Sequence, residues 1–120
     1  PAKLCMPLPA GFPAVDAAAF IMTYATSHHA LIDRGQLKAG ETVLVLGAAG
    51  GVGTAAIQIA HAAACPTFGT ARSAAKLQRA QALGLDVPMR ELPGFPAPSA
   101  TGSRSDIRWF CTDARWRMTR

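Results

Sequence analysis

The sequence predicts an α/β fold, and two observations carry that prediction. First, an apolar run at residues 42–46 stops at a glycine-rich turn, residues 47–53, and an alanine-rich segment follows at once up to residue 63. Second, a weaker strand candidate at residues 66–71 precedes another amphipathic segment that ends at Gly84. This order of strand, helix, strand and helix is typical of a doubly wound parallel sheet with right-handed crossovers. We therefore expect a partial Rossmann-type sheet (βαβα) with an irregular C-terminal tail.

The residues before the first strand predict a connector and one helix. Residues 1–13 are punctuated by prolines and are typical of an extended connector. Asp16 is the predicted N-cap of an alanine-rich helix over about residues 17–33, and Gly35 suits its C-terminal end. In the second strand candidate, Pro66 fits only the first position, where no ladder hydrogen bond is lost.

The second helix after the glycine turn is predicted from its cap and its apolar spacing. Ser73 is the expected N-cap, and Gly84 the expected end. An apolar stripe is formed by Leu77, Ala80 and Leu83. From about residue 85 neither a strand period nor a helical period is evident. We divide the chain into a connector (1–14), a partial dinucleotide-binding domain (15–87) and an irregular tail rich in proline and arginine (88–120).

Charge argues against a nucleic-acid partner. The chain has 120 residues and a formal net charge of +5. Five of its arginines lie between residues 104 and 120, so the remainder is close to neutral. A basic tail of this kind is more often solvated than functional. We expect no nucleic-acid binding.

Cysteine usage and hydropathy indicate a cytoplasmic protein. The three cysteines are widely spaced and form no CxxC pair, so we expect free thiols in an intracellular setting. The first residues show no basic region followed by an apolar core, so we expect no signal peptide there. Residues 42–64 are apolar over a membrane-spanning length, but Gly50, Gly51 and Gly53 interrupt them. A buried strand and helix explain this stretch better than a membrane span.

The glycine turn is the candidate phosphate site. It departs from G-x-G-x-x-G, because Ala48 occupies the first position, with Gly50 and Gly53 at the others and Gly51 as an extra glycine. Glycines let the backbone approach a pyrophosphate, and a helix N-terminus offers free amides to it. The cofactor-binding residues predicted here are Ala48, Ala49, Gly50, Gly51, Val52 and Gly53. The alternative is a merely tight βα turn. A P-loop is excluded because no Gly-Lys-Ser/Thr follows.

The end of the second strand favours NADP(H) over NAD(H). An acidic residue about twenty positions after the glycines would bind a ribose 2′-hydroxyl, but Arg72 and Ser73 stand there, with Lys76 one turn later. Arginine and lysine neutralise a 2′-phosphate, and the Ser73 hydroxyl and the helix amides can donate to it. The alternative is an ordinary basic helix start.

A metal site and a nucleophilic site are both disfavoured. His28 and His29 are neighbours, and adjacent helical side chains point about 100° apart, so they do not readily chelate one ion. We expect no zinc and a histidine that is partly buried or faces the cofactor. None of the cysteines stands in a recognisable catalytic pattern.

Five motifs follow one another along the first half of the chain: PLPAGF (7–12), AAAF (17–20), TYATSHHAL (23–31), LKAGETVLV (37–45) and AAGGVG (48–53). In this order they resemble the medium-chain dehydrogenase/reductase superfamily, and within it the zinc-independent quinone oxidoreductase branch. The resemblance implies NADPH-dependent hydride transfer to a quinone or activated enone, without zinc. It places Thr26 near the nicotinamide, residues 48–53 at the pyrophosphate, and Ser73 with Lys76 at the 2′-phosphate. It also implies a possible homodimer of the full-length protein.

The resemblance leaves two functional hypotheses open. The family's N-terminal catalytic domain has no counterpart here, so residues 1–14 are expected to be a connector from it. Pro66 and Ala64 also depart from the family pattern. The chain is therefore either the cofactor-binding part of an oxidoreductase that is active only with its remaining parts, or an inactive remnant or partner-binding fragment.

Overall fold

The computed structural model describes residues 5–90 and 107–111. Of the predicted tail (88–120), residues 91–106 and 112–120 lie outside the described residues. The helices and strands in chain order are α1 (Ala14–His28), a π-helical turn (His29–Arg34), β1 (Thr42–Leu46), α2 (Gly51–Ala62), β2 (Thr67–Ala71), α3 (Ala74–Ala82), β3 (Val87–Arg90) and β4 (Ile107–Cys111).

The four strands form one parallel sheet in the order β3-β2-β1-β4. Val43 is opposite Thr67 of β2, and Thr42 is opposite Ile107 of β4. The chain moves outward from β1 through β2 to β3, whereas β4 lies on the other side of β1. The strand order therefore reverses beside β1, which is where open α/β sheets bind ligands, outside the carboxyl ends of the strands. The predicted α/β class with a partial Rossmann-type sheet is confirmed.

The core lies between the sheet and α2. Residues of β1 alternate in burial, and Val43 and Val45 are fully buried. They share one apolar cluster with Ile57 and Ala60 of α2. The small alanines of α2 let the helix pack closely on the sheet, since a parallel sheet must be covered to be stable.

The first helix begins earlier than predicted. The N-cap is Pro13 and not Asp16, so the predicted cap is wrong. Proline needs no amide partner, and its carbonyl accepts the Ala17 N–H at 3.0 Å. Asp16 lies instead in the first turn, where the helix dipole favours a negative charge. The helix continues into the π-helical turn and ends at Gly35 as expected, with the Gly35 amide donating to the Ala30 carbonyl at 2.8 Å.

The βαβ unit matches the prediction closely. The first strand spans residues 42–46 as expected, and α2 ends one residue before its predicted end. Pro66 lies just before β2, and its carbonyl accepts the Val43 amide at 2.9 Å.

The end of α3 corrects one predicted core residue. Leu77 and Ala80 are buried, but Leu83 is 42% exposed. Gly84 has a φ of +106°, which turns the chain so that Leu85 is buried instead. The Leu85 amide donates back to the Ala80 carbonyl at 3.1 Å, as in a helix-ending Schellman motif. Because the chain reverses at Gly84, the buried apolar stripe of α3 ends at Ala80 and does not include Leu83.

Two strands lie where the sequence pattern indicated none. β3 has only four residues, includes Pro88 and is largely exposed, and β4 includes Arg108. Short strands that carry proline or charge are typical of sheet edges, and their hydrophobic alternation is weak. Both are edge strands among the described residues, which explains why their pattern was not evident.

No helix within residues 5–90 is both long enough and apolar enough to cross a membrane.

Candidate functional site

The glycine turn lies at the carboxyl end of β1, beside the reversal of strand order. Gly47 begins the turn with a φ of +72°, and its carbonyl accepts the Gly50 amide at 3.0 Å. Gly50 is the N-cap of α2, and its carbonyl accepts the Thr54 amide at 2.8 Å. Among the described residues no side chain caps this end of the helix. Within that part of the chain the first amides of α2 therefore have neither an intrahelical nor a side-chain acceptor, a condition that suits an anion.

The two fingerprint glycines have different surroundings. A Cβ atom on Gly53 would lie 2.5 Å from the Gly47 carbonyl oxygen, so only glycine lets α2 approach the turn this closely. A Cβ atom on Gly50 would meet no atom of the described residues nearer than the Gly47 carbonyl oxygen at 3.4 Å. Gly50 is exposed, with a φ of −81° that any residue adopts. The protein fold therefore requires glycine at residue 53 and leaves open space at residue 50.

The other predicted turn residues divide by exposure. Ala48 is fully buried in the core cluster. Gly51 is exposed, whereas Ala49 and Val52 are half-buried. Residues 49–52 therefore form the accessible part of the turn, and Ala48 with Gly53 supports it from beneath.

Arg72, Ser73 and Lys76 follow the carboxyl end of β2, which is paired with β1 in parallel, so they lie at the same edge of the sheet as the glycine turn. Arg72 and Lys76 are exposed. Ser73 is the N-cap of α3 as predicted, but its hydroxyl makes no capping hydrogen bond. Two cationic residues and a hydroxyl residue thus stand at the start of α3, a second helix N-terminus.

Thr26 lies on the exposed side of α1. Its hydroxyl donates to the Met22 carbonyl of the same helix at 2.6 Å. The next residue, Ser27, has no exposed surface, and its hydroxyl oxygen lies 2.8 Å from both the Thr23 and the Val52 carbonyl oxygens. Ser27 therefore joins α1 to the first turn of α2.

Sequence reasoning missed two hydroxyl residues that hold the turn. One is Ser27. The other is Thr70, which is 1% exposed and whose hydroxyl oxygen accepts the Gly47 amide at 3.3 Å. The Thr70 carbonyl also accepts the Ala48 amide at 2.8 Å. The sequence offered one indication of both residues: each is a hydroxyl residue at a position that its neighbours predict to be buried.

Two positions were predicted for the histidines, partly buried or facing the cofactor, and the first of these is wrong. His28 is exposed, and the His29 side chain is 66% exposed, with Nδ1 3.0 Å from the Asp33 carboxylate. Among the described residues no group of three or more His, Cys, Asp or Glu could hold a metal ion. Cys65 is buried and its thiol donates to the Lys38 carbonyl at 3.2 Å, whereas Cys5 is exposed.

Asp86 has a perturbed pKa but lies away from the glycine turn. Its carboxylate accepts the Thr67 amide at 2.7 Å and the Thr67 hydroxyl at 2.8 Å. These hydrogen bonds hold the pKa of Asp86 below its ordinary value. Thr67 begins β2 and Asp86 precedes β3, so this contact lies at the amino end of the strands, opposite the candidate site. Its role is to join two strands.

Known proteins resemble this chain over most of its length. No protein-family model matches it. It is 42% identical over 100 residues to the spectinabilin polyketide synthase system protein NorB of Streptomyces orinoci, covering 83% of this chain and 4% of that protein. The quinone oxidoreductase of Thermus thermophilus, whose structures include a complex with NADPH, is 40% identical with a TM-score of 0.67, covering 71% of this chain and 28% of that one. The CurK enoyl reductase is 35% identical with a TM-score of 0.68, covering 74% and 26%.

The strand order, the glycine turn and these solved relatives define the class as a Rossmann-type domain of an oxidoreductase. More specifically, the chain belongs to the medium-chain dehydrogenase/reductase superfamily. It spans 28% and 26% of the two solved relatives and 4% of the polyketide synthase protein.

Proposed function

We propose that this chain is the cofactor-binding part of an NADPH-dependent reductase that delivers hydride to a quinone or an activated enone. The observation that carries the proposal is the exposed, uncapped N-terminus of α2 at the carboxyl end of β1. The complex of the Thermus thermophilus quinone oxidoreductase with NADPH supports the choice of cofactor. Quinone specificity and the whole protein's activity are part of the proposal.

The residues present fit a dinucleotide phosphate. Gly50 leaves space that a larger side chain would fill, and the amides of residues 51–53 begin a helix without a capping side chain. Arg72 and Lys76 supply positive charge for a 2′-phosphate, with the Ser73 hydroxyl as a donor. When bound, the cofactor would supply the hydride. The work of this chain would be to orient the cofactor, with Thr26 proposed beside the nicotinamide from the family resemblance.

The polyketide synthase match favours a second substrate class. The matched relative is named as part of a polyketide synthase system, and one solved relative is named as an enoyl reductase. An α,β-unsaturated acyl group is an activated alkene of the same electronic type as an enone. We therefore propose an enoyl substrate as the alternative to a quinone.

Partners and location complete the proposal. We propose a cytoplasmic protein that binds neither nucleic acid nor membrane, with a homodimer as the possible state of the full-length protein.

The competing hypothesis is an inactive or partner-binding fragment. Saturable protection of the chain by NADPH against heat or proteolysis would support cofactor binding. Absence of binding at millimolar NADPH would refute it.

The 2′-phosphate assignment is tested by combining Arg72→Asp with Lys76→Ala and titrating NADPH and NADH by calorimetry. Loss of charge-assisted contacts should weaken NADPH by roughly 10- to 100-fold and leave NADH within about threefold. The matched control combines Arg79→Asp with Arg34→Ala, two exposed residues that give the same change in net charge. Salt is held constant because it screens exposed charges. An equal loss for both cofactors would contradict the assignment.

A further inference from the structure

The start of the glycine turn is held by a buried side chain of the neighbouring strand. Thr70, at the fourth position of β2, lies opposite the beginning of the turn and is 1% exposed. Its carbonyl accepts the Ala48 amide at 2.8 Å, which extends the parallel ladder by one bond. Its hydroxyl oxygen accepts the preceding amide, that of Gly47, at 3.3 Å. Two consecutive amides of the turn therefore depend on one threonine.

The Gly47 contact reaches the exposed part of the turn through the backbone. Gly47 has a φ of +72°, where the chain leaves the direction of β1. With its amide held by Thr70, its carbonyl accepts the Gly50 amide at 3.0 Å. The Gly50 carbonyl in turn accepts the Thr54 amide at 2.8 Å in the first turn of α2. This series of bonds runs from the Thr70 hydroxyl to the N-cap of the helix.

We propose that the Thr70 hydroxyl is a positioning group for the dinucleotide pyrophosphate, because it orients the turn whose free amides would bind it. The inference rests on the proposed cofactor function, and it adds to that site the buried residue Thr70 of β2. An amide that loses its acceptor in a partly buried position turns toward another partner, and the preorganisation of the turn is lost with it. Because Thr70 is 1% exposed, it would act through its contact with the Gly47 amide.

The test compares Thr70→Val, which keeps the shape and removes the acceptor, with Thr70→Ser, which keeps the acceptor. Two ligands are titrated: NADPH, and adenosine 2′-monophosphate, which has the 2′-phosphate but no pyrophosphate. Thr70→Val should weaken NADPH by about 3- to 10-fold, the effect of one neutral hydrogen bond, and leave the monophosphate within about twofold. Thr70→Ser should stay within about twofold of the unmutated chain for both ligands.

The outcomes separate this inference from the proposed function. If the unmutated chain binds NADPH and Thr70→Val binds it equally well, the positioning role is wrong and the cofactor site stands. Parallel loss of both ligands, or equal loss in Thr70→Ser, also overturns it, since general destabilisation would explain either. Failure of the unmutated chain to bind NADPH refutes both. Should Thr70→Val not fold, hydrogen exchange in the unmutated chain decides: NADPH, and not the monophosphate, should slow exchange at the Gly47 amide, and no slowing overturns the role.

Discussion

Gly50 and Gly53 look equivalent in the glycine-rich turn, yet the structure gives them different requirements. Gly53 is buried, and its missing side chain is what lets α2 contact the Gly47 carbonyl. Gly50 is exposed, and no described residue places an atom within 3.4 Å of where its Cβ atom would lie. We therefore assign Gly53 to the fold and Gly50 to the proposed ligand.

Alanine substitutions should separate these two roles. Gly53→Ala should lower the free energy of unfolding by roughly 1–3 kcal/mol, because the new methyl group overlaps the turn. The cost of this overlap exceeds the gain from the higher helix propensity of alanine. Gly50→Ala should leave the melting temperature nearly unchanged and weaken NADPH by at least about tenfold, because the methyl group occupies the phosphate approach. Thermal unfolding without cofactor and NADPH titration check the pair. A stable Gly53→Ala, or a Gly50→Ala that binds normally, would contradict this division.

At the scale of single residues, the glycine turn was predictable from the sequence, but the residues that hold it in place were not. Residues 48–53 are adjacent in sequence, so their composition marks the turn directly. The contacts of Thr70 with Gly47 and of Ser27 with Val52 join residues 23 and 25 positions apart. No local pattern indicates which buried hydroxyl meets which amide.

Helices α2 and α3 end in the same way, but with different residues at the critical position. In α3 the position with positive φ is Gly84. In α2 it is Ala64, with a φ of +55°, and the amides of Ala64 and Cys65 donate to the carbonyls of His61 and Ala60 at 3.0 Å each. Both are Schellman endings, and only the one in α3 has the residue that tolerates this conformation without strain.

Ala64→Gly should therefore stabilise the chain. A left-handed conformation costs alanine about 1–2 kcal/mol, whereas the extra backbone freedom of glycine in the unfolded chain removes part of the gain. We expect the free energy of unfolding to rise by roughly 0.5–1 kcal/mol, measured by urea denaturation. Ala62→Gly, inside the same helix, is the matched control and should destabilise by a similar amount. Destabilisation by both changes would argue against the Schellman ending.

The elements with the strongest local signals were predicted best. β1 is a short apolar run bounded by turns, and α2 follows a glycine turn, so both have clear boundaries in the sequence. β3 and β4 are edge strands with weak alternation, and their pairing with β2 and β1 is what defines them. The early start of α1 depends on Pro13, whose role at a helix N-terminus competes with the cap signal of Asp16.

For the whole molecule, Asp86 makes stability depend on pH. Hydrogen bonds from Thr67 lower its pKa in the folded state below the ordinary value of 3.8, so the folded chain favours the carboxylate. This contribution is complete above the unfolded-state pKa and is lost as pH falls through the lower folded-state pKa.

Asp86→Asn should lower the free energy of unfolding at pH 7 by on the order of 1 kcal/mol, a modest value because the carboxylate is partly solvated. The difference from the unmutated chain should be constant well above the ordinary pKa of 3.8 and should shrink as the pH falls through the lower folded-state pKa, because Asp86 itself becomes protonated there. Urea denaturation at several pH values measures it. Thr67→Val, which removes the hydroxyl donor, should reduce the same pH dependence. A difference that is independent of pH would refute this account.

The outer surface of α1 exposes several large apolar side chains. Val15 is 83% exposed, Met22 73% and Ile21 52%. The other side of the helix packs on α2 through Ser27 and through Tyr24, whose hydroxyl donates to the Gln58 side chain at 2.9 Å. The apolar composition of α1 therefore overstates its burial, because these apolar side chains remain exposed in the fold.

The sequence by itself determined the α/β class, β1, the glycine turn and α2, because strand composition, glycine clustering and helical periodicity are local properties. It also placed Arg72, Ser73 and Lys76 after β2. Only the tertiary structure decided the strand order and the edge strands. It also showed that Thr70 and Ser27 hold the turn, and that Gly50 and Gly53 have different surroundings. The physical reason is that these features depend on contacts between distant parts of the chain, which form only when the sheet and its covering helices pack together.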